Sequence, residues 1–220
     1  MSVIVSTGEV HRSQEVISSL KHTHHLNVQV QAKFEGAGYL LSSRLAVCRI
    51  SNNDFCNGAQ RHKLVNMCQT MNEYFERPFL IVESPDSVPL EARQHRTKYV
   101  DMIMSQLAQS NIRVLFSSCQ TETASFMATL ARKEDKKNFA LPRNLKIPLL
   151  SEKYLVFYMN LPNVNYALAL NMVNTFHNPG EMIRAAQATL VRRLKIEEKR
   201  AQKIHGFCRA TFHTDMTSKI

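Results

Sequence analysis

With 220 residues, 44% of them hydrophobic and 21% charged, the chain can form one medium domain or a medium domain and a small one. Its longest apolar runs, such as 79–82, are the length of a strand and far too short to span a membrane, and we expect no secretion signal. The five cysteines have no C-x-x-C spacing. We therefore expect reduced thiols, and neither a disulfide framework nor a zinc site.

The net charge of +10 is unevenly distributed along the chain. Residues 141–220 contain 12 lysines and arginines against 5 acidic residues, whereas residues 1–140 contain 16 against 13. Because basic side chains displace counterions from phosphates, a basic C-terminal region favours nucleic-acid binding. The alternative, that this charge only promotes solubility, stays open.

Taken in chain order, the first 140 residues alternate strand and helix patterns. Short β-branched or aliphatic runs predict strands at 3–5, 27–32, 39–41, 45–50, 78–83 and 112–117. Helical spacings predict helices near 13–21, around 102–107 and around 126–130. A further helix is predicted to run through residue 71, with Asn52, Asn53 and Asp54 as its candidate N-caps. The polar segment 84–96 reads as a loop. This β-α-β alternation predicts a three-layer α/β domain.

A charged segment, Lys133–Lys137, opens what we interpret as a connector. We place a domain at 1–140, a linker at 141–150 and a second domain at 151–220. Beyond the linker no strand pattern remains, so we expect the second domain to consist of short helices.

Two segments of this second domain, 163–169 and 195–201, share one spacing. Each has an apolar residue between two polar ones, then an alanine four residues after the second polar one. The pattern is similar to a tandem helix-hairpin-helix, in which a Gly-apolar-Gly turn presents backbone N–H groups to a DNA phosphate. All four glycine positions are substituted, and Glu197 places a negative charge where a phosphate would lie. Two ordinary packing units of paired helices remain the alternative interpretation.

The order of the two domains resembles that of the XPF/Mus-type structure-specific nuclease family. The resemblance covers nearly the whole chain and is carried by residues 14–20, 39–44, 75–77, 81–83, 113–120, 122–124 and 167–172. It implies a restriction-endonuclease-like nuclease domain followed by a small all-α tandem helix-hairpin-helix domain.

Active members of this family bind a divalent metal through clustered carboxylates. The matching positions have lost the required groups and are occupied by Ser6, Gly8, Gly38, Cys48 and Ile50. The remnants are Glu9, Arg49 and Asp54. Because Mg²⁺ needs several converging oxygen ligands, we expect a degenerate nuclease with no metal, no cofactor and no enzyme activity. Cys48 has two interpretations, an inert thiol or a reactive one whose pKa is lowered by Arg49.

For such a degenerate domain, the resemblance implies a nuclear DNA-repair scaffold of the Fanconi anaemia type. The expected partner is another XPF-family pseudo-nuclease, the small Fanconi-associated helix-hairpin-helix protein. The expected ligand is double-stranded, branched or single-stranded DNA, bound weakly by the chain alone. An active structure-specific endonuclease and an interaction module without DNA contact are the alternatives. No P-loop is present, so any helicase motor would lie outside this chain.

Two sets of residues in the second domain are candidates for these contacts. The DNA-binding candidates are Asn163, Asn165, Arg192, Arg193, Lys195, Lys199, Arg200 and Lys203. The candidates for the dimer interface form an apolar stripe of Ile204, Phe207, Cys208 and Phe212, for which core packing is the alternative.

Overall fold

A computed structural model describes residues 1–31, 36–57, 61–84, 97–141 and 149–210, excluding the side chains of 61, 97–99 and 149–151. The chain divides into two compact units, Met1–Lys146 and Ile147–Ile220. The division falls inside the segment 141–150 that we interpreted as a linker.

In the described part of the first unit, six strands form one mixed sheet. The strands are β1 (Ser2–Ser6), β2 (Asn27–Gln31), β3 (Tyr39–Leu40), β4 (Leu45–Ser51), β5 (Arg77–Glu83) and β6 (Arg113–Ser117), in the spatial order β2-β1-β3-β4-β5-β6. The short strand β3 is antiparallel to β1 and β4, while β1 with β2 and β4 with β5 and β6 pair in parallel. The predicted strands are therefore confirmed, with bounds that differ by one or two residues.

Helices cover the two faces of this sheet. They are α1 (Thr7–Val10), α2 (Gln14–Ser18) with a π-helical turn at Ser19–Thr23, α3 (Asn52–Phe55), α4 (Arg61–Tyr74), α5 (Thr97–Ala108) and α6 (Gln120–Asp135). One buried cluster joins alternate strand residues such as Val3, Val5 and Val47 to Val16 of α2 and Met127 of α6. Successive strand residues point to opposite faces, which is why strands buried on both sides read as continuous apolar runs.

The predicted helix from 52 to 71 is wrong, because two helices occupy this region. The N-cap of the short helix α3 is Ser51 rather than one of the three residues that we proposed. The Ser51 hydroxyl accepts a hydrogen bond from the backbone N–H of Asp54 at 3.1 Å. The hydroxyl also donates to the Asp54 carboxylate at 2.8 Å. Serine at this position satisfies donors that the helix leaves open.

The interpretation of Lys133–Lys137 as the start of a connector is also wrong. Helix α6 continues to Asp135, and the side chain of Glu134 is completely buried. Its carboxylate accepts hydrogen bonds from Arg44, Arg77 and Ser42. A buried charge of this kind requires such partners, and they fix the end of α6 against the starts of β4 and β5.

The described part of the second unit is entirely helical. Its helices are α7 (Leu149–Met159), α8 (Tyr166–Thr175), α9 (Pro179–Arg184), α10 (Gln187–Leu194) and α11 (Glu198–Arg209). Helix α8 packs against α7 and α10, and α10 packs against α11. Among the residues described in either unit, no helix is long and apolar enough to cross a membrane.

Candidate nucleic-acid interface and the nuclease-like edge

The carboxyl ends of β1, β4, β5 and β6 lie at one edge of the sheet, because these strands run in the same direction. In open α/β sheets this edge is the usual location of ligand sites. The positions predicted to be degenerate gather here: Ser6 ends β1, and its backbone N–H donates to the carbonyl of Gly38 at 2.9 Å.

An arginine occupies the centre of this edge. The Nη1 of Arg49 lies 3.0 Å from Oε1 of Glu83, and its Nε lies 3.8 Å from Oε2 of Glu9. Its Nη2 donates to the backbone carbonyl of Arg12 at 2.7 Å. All three charged side chains are at least four-fifths buried. Arg49 therefore supplies a fixed positive charge between the carboxylates of Glu9 and Glu83.

Gly38 and Glu9 fit together at this edge. A Cβ atom added at Gly38 would lie 2.8 Å from Cγ of Glu9, closer than such contacts occur. The side chain of Glu9 therefore takes up the space that a residue with a side chain at 38 would need.

Hydroxyl groups bind the backbone of Glu9 and the carboxylate of Glu83. The hydroxyl of Ser13 accepts a hydrogen bond from Tyr39 and donates to the backbone carbonyl of Glu9 at 2.6 Å. Thr123 donates to Oε2 of Glu83 at 3.0 Å. Burial raises the pKa of Tyr39 well above its usual value, so its hydroxyl stays protonated as a donor.

Cys48 lies on the opposite face of β4 from Arg49. Burial, assisted by the Glu9 carboxylate and outweighing the opposite effect of Arg49, raises the pKa of Cys48 to about 12. Its sulfur lies 3.1 Å from that of Met67 on α4. The interpretation of Cys48 as a reactive thiol is therefore wrong, since reactive thiols have lowered pKa values.

The two other predicted positions near this edge, Ile50 and Asp54, take no part in the ion pairs of Arg49. Ile50 follows Cys48 on the same face of β4 and is partly buried, and Asp54 belongs to the Ser51 cap. Within the described ranges, no group of three or more histidine, cysteine or acidic side chains is arranged to hold a metal ion.

The two repeated segments of the second unit have matching backbones. Asn163 and Lys195, the first polar residues of the repeats, both adopt the left-handed conformation, with φ of 59° and 54°. The apolar residues that follow, Val164 and Ile196, are buried. A helix then begins in each repeat, α8 after Asn165 and α11 after Glu197.

Three of the predicted contact residues are structural instead. Asn165 is completely buried and caps α8, accepting a hydrogen bond from the N–H of Leu168 at 2.8 Å. Arg200 is only 8% exposed, and its Nε donates to the carbonyl of Asn163 at 2.7 Å. Ile204 is completely buried in the core of the unit. The side chains of Asn165 and Arg200 are thus unavailable to DNA, and that of Ile204 is unavailable to a partner.

The other basic candidates lie on the surface. Arg192, Lys195, Lys199 and Lys203 are exposed, and none of them forms an ion pair with another described residue. Arg193 is exposed as well, but it pairs with Glu181 at 2.7 Å. In the apolar stripe, Phe207 is 45% exposed and Cys208 partly exposed, while Phe212 lies outside the described residues.

Residues 5–130 match the ERCC4 domain. The chain belongs to the ERCC4 domain family. It is 34% identical to the Fanconi anemia group M protein of Gallus gallus over 218 residues, which are 98% of this chain and 11% of that protein. The chain thus spans about a tenth of the length of that relative.

Two solved structures share the fold. XPF from Aeropyrum pernix has a TM-score of 0.56 at 22% identity, covering 97% of this chain and all of that one. The same protein in complex with DNA has a TM-score of 0.53 at 23% identity, covering 96% of this chain and 99% of that one.

Within the ERCC4 domain, sequence reasoning missed the residues that complete the edge. Glu83 was placed at the end of an apolar strand but was not connected with Arg49, 34 positions away. Its position as the polar residue that closes a buried strand was the available signal. Ser13 gave no signal, since isolated hydroxyl residues are common throughout the chain, and Thr123 contributed only to the family resemblance.

Proposed function

We propose that this chain is a non-catalytic, DNA-binding member of the ERCC4 domain family that serves as a scaffold in nuclear DNA repair. The observation that carries the proposal is the loss of the metal-binding groups at Ser6, Gly38, Cys48 and Ile50, at an edge where the retained Arg49 engages the carboxylates of Glu9 and Glu83. Similarity to the Fanconi anemia group M protein supports the repair role.

The chemistry of the edge argues against metal-dependent cleavage. A divalent metal would need several free oxygen ligands, but both nearby carboxylates already neutralise Arg49. Glu9 further occupies the space beside Gly38, so a lost carboxylate at this position cannot be supplied without a rearrangement.

The second unit supplies the DNA-binding surface in this proposal. Its turn at Lys195 carries a positive φ, as a helix-hairpin-helix turn does where its glycine lies, and exposed cations flank it at Arg192, Lys199 and Lys203. Lys199 and Lys203 are four residues apart on α11 and therefore lie on one side of that helix. Contacts of this kind are to phosphates, so we expect preference for DNA structure rather than for sequence. The DNA bound by the related Aeropyrum pernix protein is consistent with this role.

Salt-dependent binding tests the DNA-binding surface. We expect the double variant Lys199→Gln/Lys203→Gln to bind a fluorescent splayed-arm DNA more weakly, with the slope of log K against log salt reduced by about 0.9 for each phosphate that the variant no longer neutralises. Lys153→Gln, which removes an exposed lysine from α7, is the matched control. Equal binding by the double variant and this control would contradict the assignment.

The heterodimer is the second part of the proposal. We propose that the exposed Phe207 on α11 contacts the small Fanconi-associated XPF-family partner, and that the complex anchors repair factors on branched DNA. Phe207→Ser should abolish co-purification with that partner. Phe157→Ser, at a residue of α7 that is 39% exposed, is the control. If the partner is retained by the Phe207 variant, this contact is refuted.

An interaction module without DNA contact is the competing function. The observation that favours it is the negative charge of Glu197 at the start of α11, where a phosphate would approach the second turn. It predicts that the chain, alone or with the partner, binds no DNA at any salt concentration.

A further inference from the structure

The segment before α10 holds a carboxylate in a fixed position. Asn178 caps α9 and accepts a hydrogen bond from the N–H of Glu181 at 2.9 Å, while Oε2 of Glu181 accepts one from the N–H of His177 at 2.9 Å. This reciprocal pair is similar to a capping box, except that Glu181 accepts from the residue before the N-cap, and it orients the Glu181 side chain independently of Arg193. The ring Nδ1 of His177 lies 3.0 Å from the same oxygen.

The second carboxylate oxygen of Glu181 points to the basic surface. Its Oε1 lies 2.7 Å from Nη1 of Arg193, in the last turn of α10, two residues before the left-handed Lys195. The guanidinium of Arg193 also lies over the ring of Phe176, at 5.5 Å from the centroid. Arg193 is 43% exposed, so a phosphate can reach it only in competition with Glu181.

We propose that Glu181 restrains DNA binding by holding Arg193 in an internal ion pair that a DNA phosphate must displace. This inference rests on the proposed DNA-binding role of the second unit. Arg192, the neighbouring residue on α10, has no such competitor among the described residues, so the restraint acts on one cation of the surface.

The carboxylate of Glu181 is charged at neutral pH. The backbone hydrogen bond from His177, followed by the contact with Arg193, lowers the pKa of Glu181 to about 2. Its fixed negative charge beside the second turn therefore both neutralises Arg193 and repels phosphates. A substitution that removes the charge of Glu181 but keeps its hydrogen bond to His177 therefore measures the effect of that charge on DNA binding.

Glu181→Gln is the test variant, because the glutamine side-chain oxygen can still accept from the N–H of His177. We expect it to bind splayed-arm DNA roughly two- to five-fold more tightly, the range that corresponds to releasing an exposed ion pair. The slope of log K against log salt should steepen by about 0.9, because one more cation contacts phosphate. Glu152→Gln, at an exposed glutamate of α7, makes the same charge change away from Arg193.

A double-mutant cycle with Arg193→Gln shows whether the gain in DNA binding depends on Arg193. In the Arg193→Gln background, Glu181→Gln should no longer tighten binding. An equal gain from Glu152→Gln, or a gain that persists without Arg193, would overturn the inference. If the wild type binds DNA and Glu181→Gln binds equally well, the restraint alone is refuted. If neither the wild type nor any variant binds, the proposed DNA-binding function itself fails.

Discussion

Glu134 joins three parts of the first unit, and replacing it with alanine measures how much these contacts stabilise it. Its Oε2 lies 2.8 Å from Nε of Arg44, just before β4, and its Oε1 accepts from Arg77 at the start of β5. Ser42 donates to the same carboxylate at 3.2 Å. The carboxylate is completely buried, while the two arginines are 19% and 25% exposed.

The expected loss of stability follows from this burial. Removing one partner of a buried ion pair costs about 3–5 kcal/mol, because the remaining charge loses its compensation. Arg44 and Arg77 retain some access to water, so we expect Glu134→Ala to fall near the lower end, at about 3 kcal/mol. The adjacent Asp135 is exposed, and Asp135→Ala should change stability by no more than about 0.5 kcal/mol.

Native-state hydrogen exchange is the appropriate assay, because the chain has two units and global unfolding need not be a single transition. The free energy of opening is read from peptides covering β4 and β5. A loss below about 1 kcal/mol for Glu134→Ala, or a loss equal to that of Asp135→Ala, would refute the conclusion that the buried charge is held by its partners.

Three further substitutions test individual features. Lys195→Gly should raise the free energy of unfolding of the second unit by about 0.5–1 kcal/mol, measured by thermal unfolding, because glycine adopts the left-handed conformation without the penalty of a Cβ. Gly38→Asp should destabilise the first unit by about 1–3 kcal/mol through its clash with Glu9, and it should not produce a Mg²⁺-dependent thermal shift. Tyr158→Phe should leave stability unchanged or raise it by about 1 kcal/mol in urea unfolding, since the buried Tyr158 hydroxyl has no hydrogen-bond partner among the described residues. A loss of stability in the first or third case, or a Mg²⁺ response in the second, would contradict the structural reason given.

Local sequence patterns predicted most of the α/β fold. The apolar runs of β1 and β5 are readable because strands buried on both faces need little polar alternation. The charged run at Lys133–Lys137 was wrongly interpreted as a connector, since the burial of Glu134 depends on arginines that are 57 and 90 positions away. A single sequence gives no sign of such distant partners.

The candidate sites were predictable to a different extent. The matching polar-apolar-polar segments located both turns, because Asn163 and Lys195 stand where the backbone becomes left-handed. The exposure of individual residues was harder to predict. Arg200 lies in a basic run next to Lys199, yet it faces inwards and donates to a carbonyl of the first turn, and only the packing of α11 decides that rotation.

A DNA-binding chain without nuclease activity is the central claim, and one measurement on fluorescent splayed-arm DNA tests it most directly. The purified chain, with and without the proposed helix-hairpin-helix partner, is incubated with this DNA and Mg²⁺ at several salt concentrations, and binding and strand integrity are followed in the same samples. We predict salt-sensitive binding with the DNA intact at every concentration. Cleavage that requires Mg²⁺ and disappears when the metal is chelated would contradict the claim.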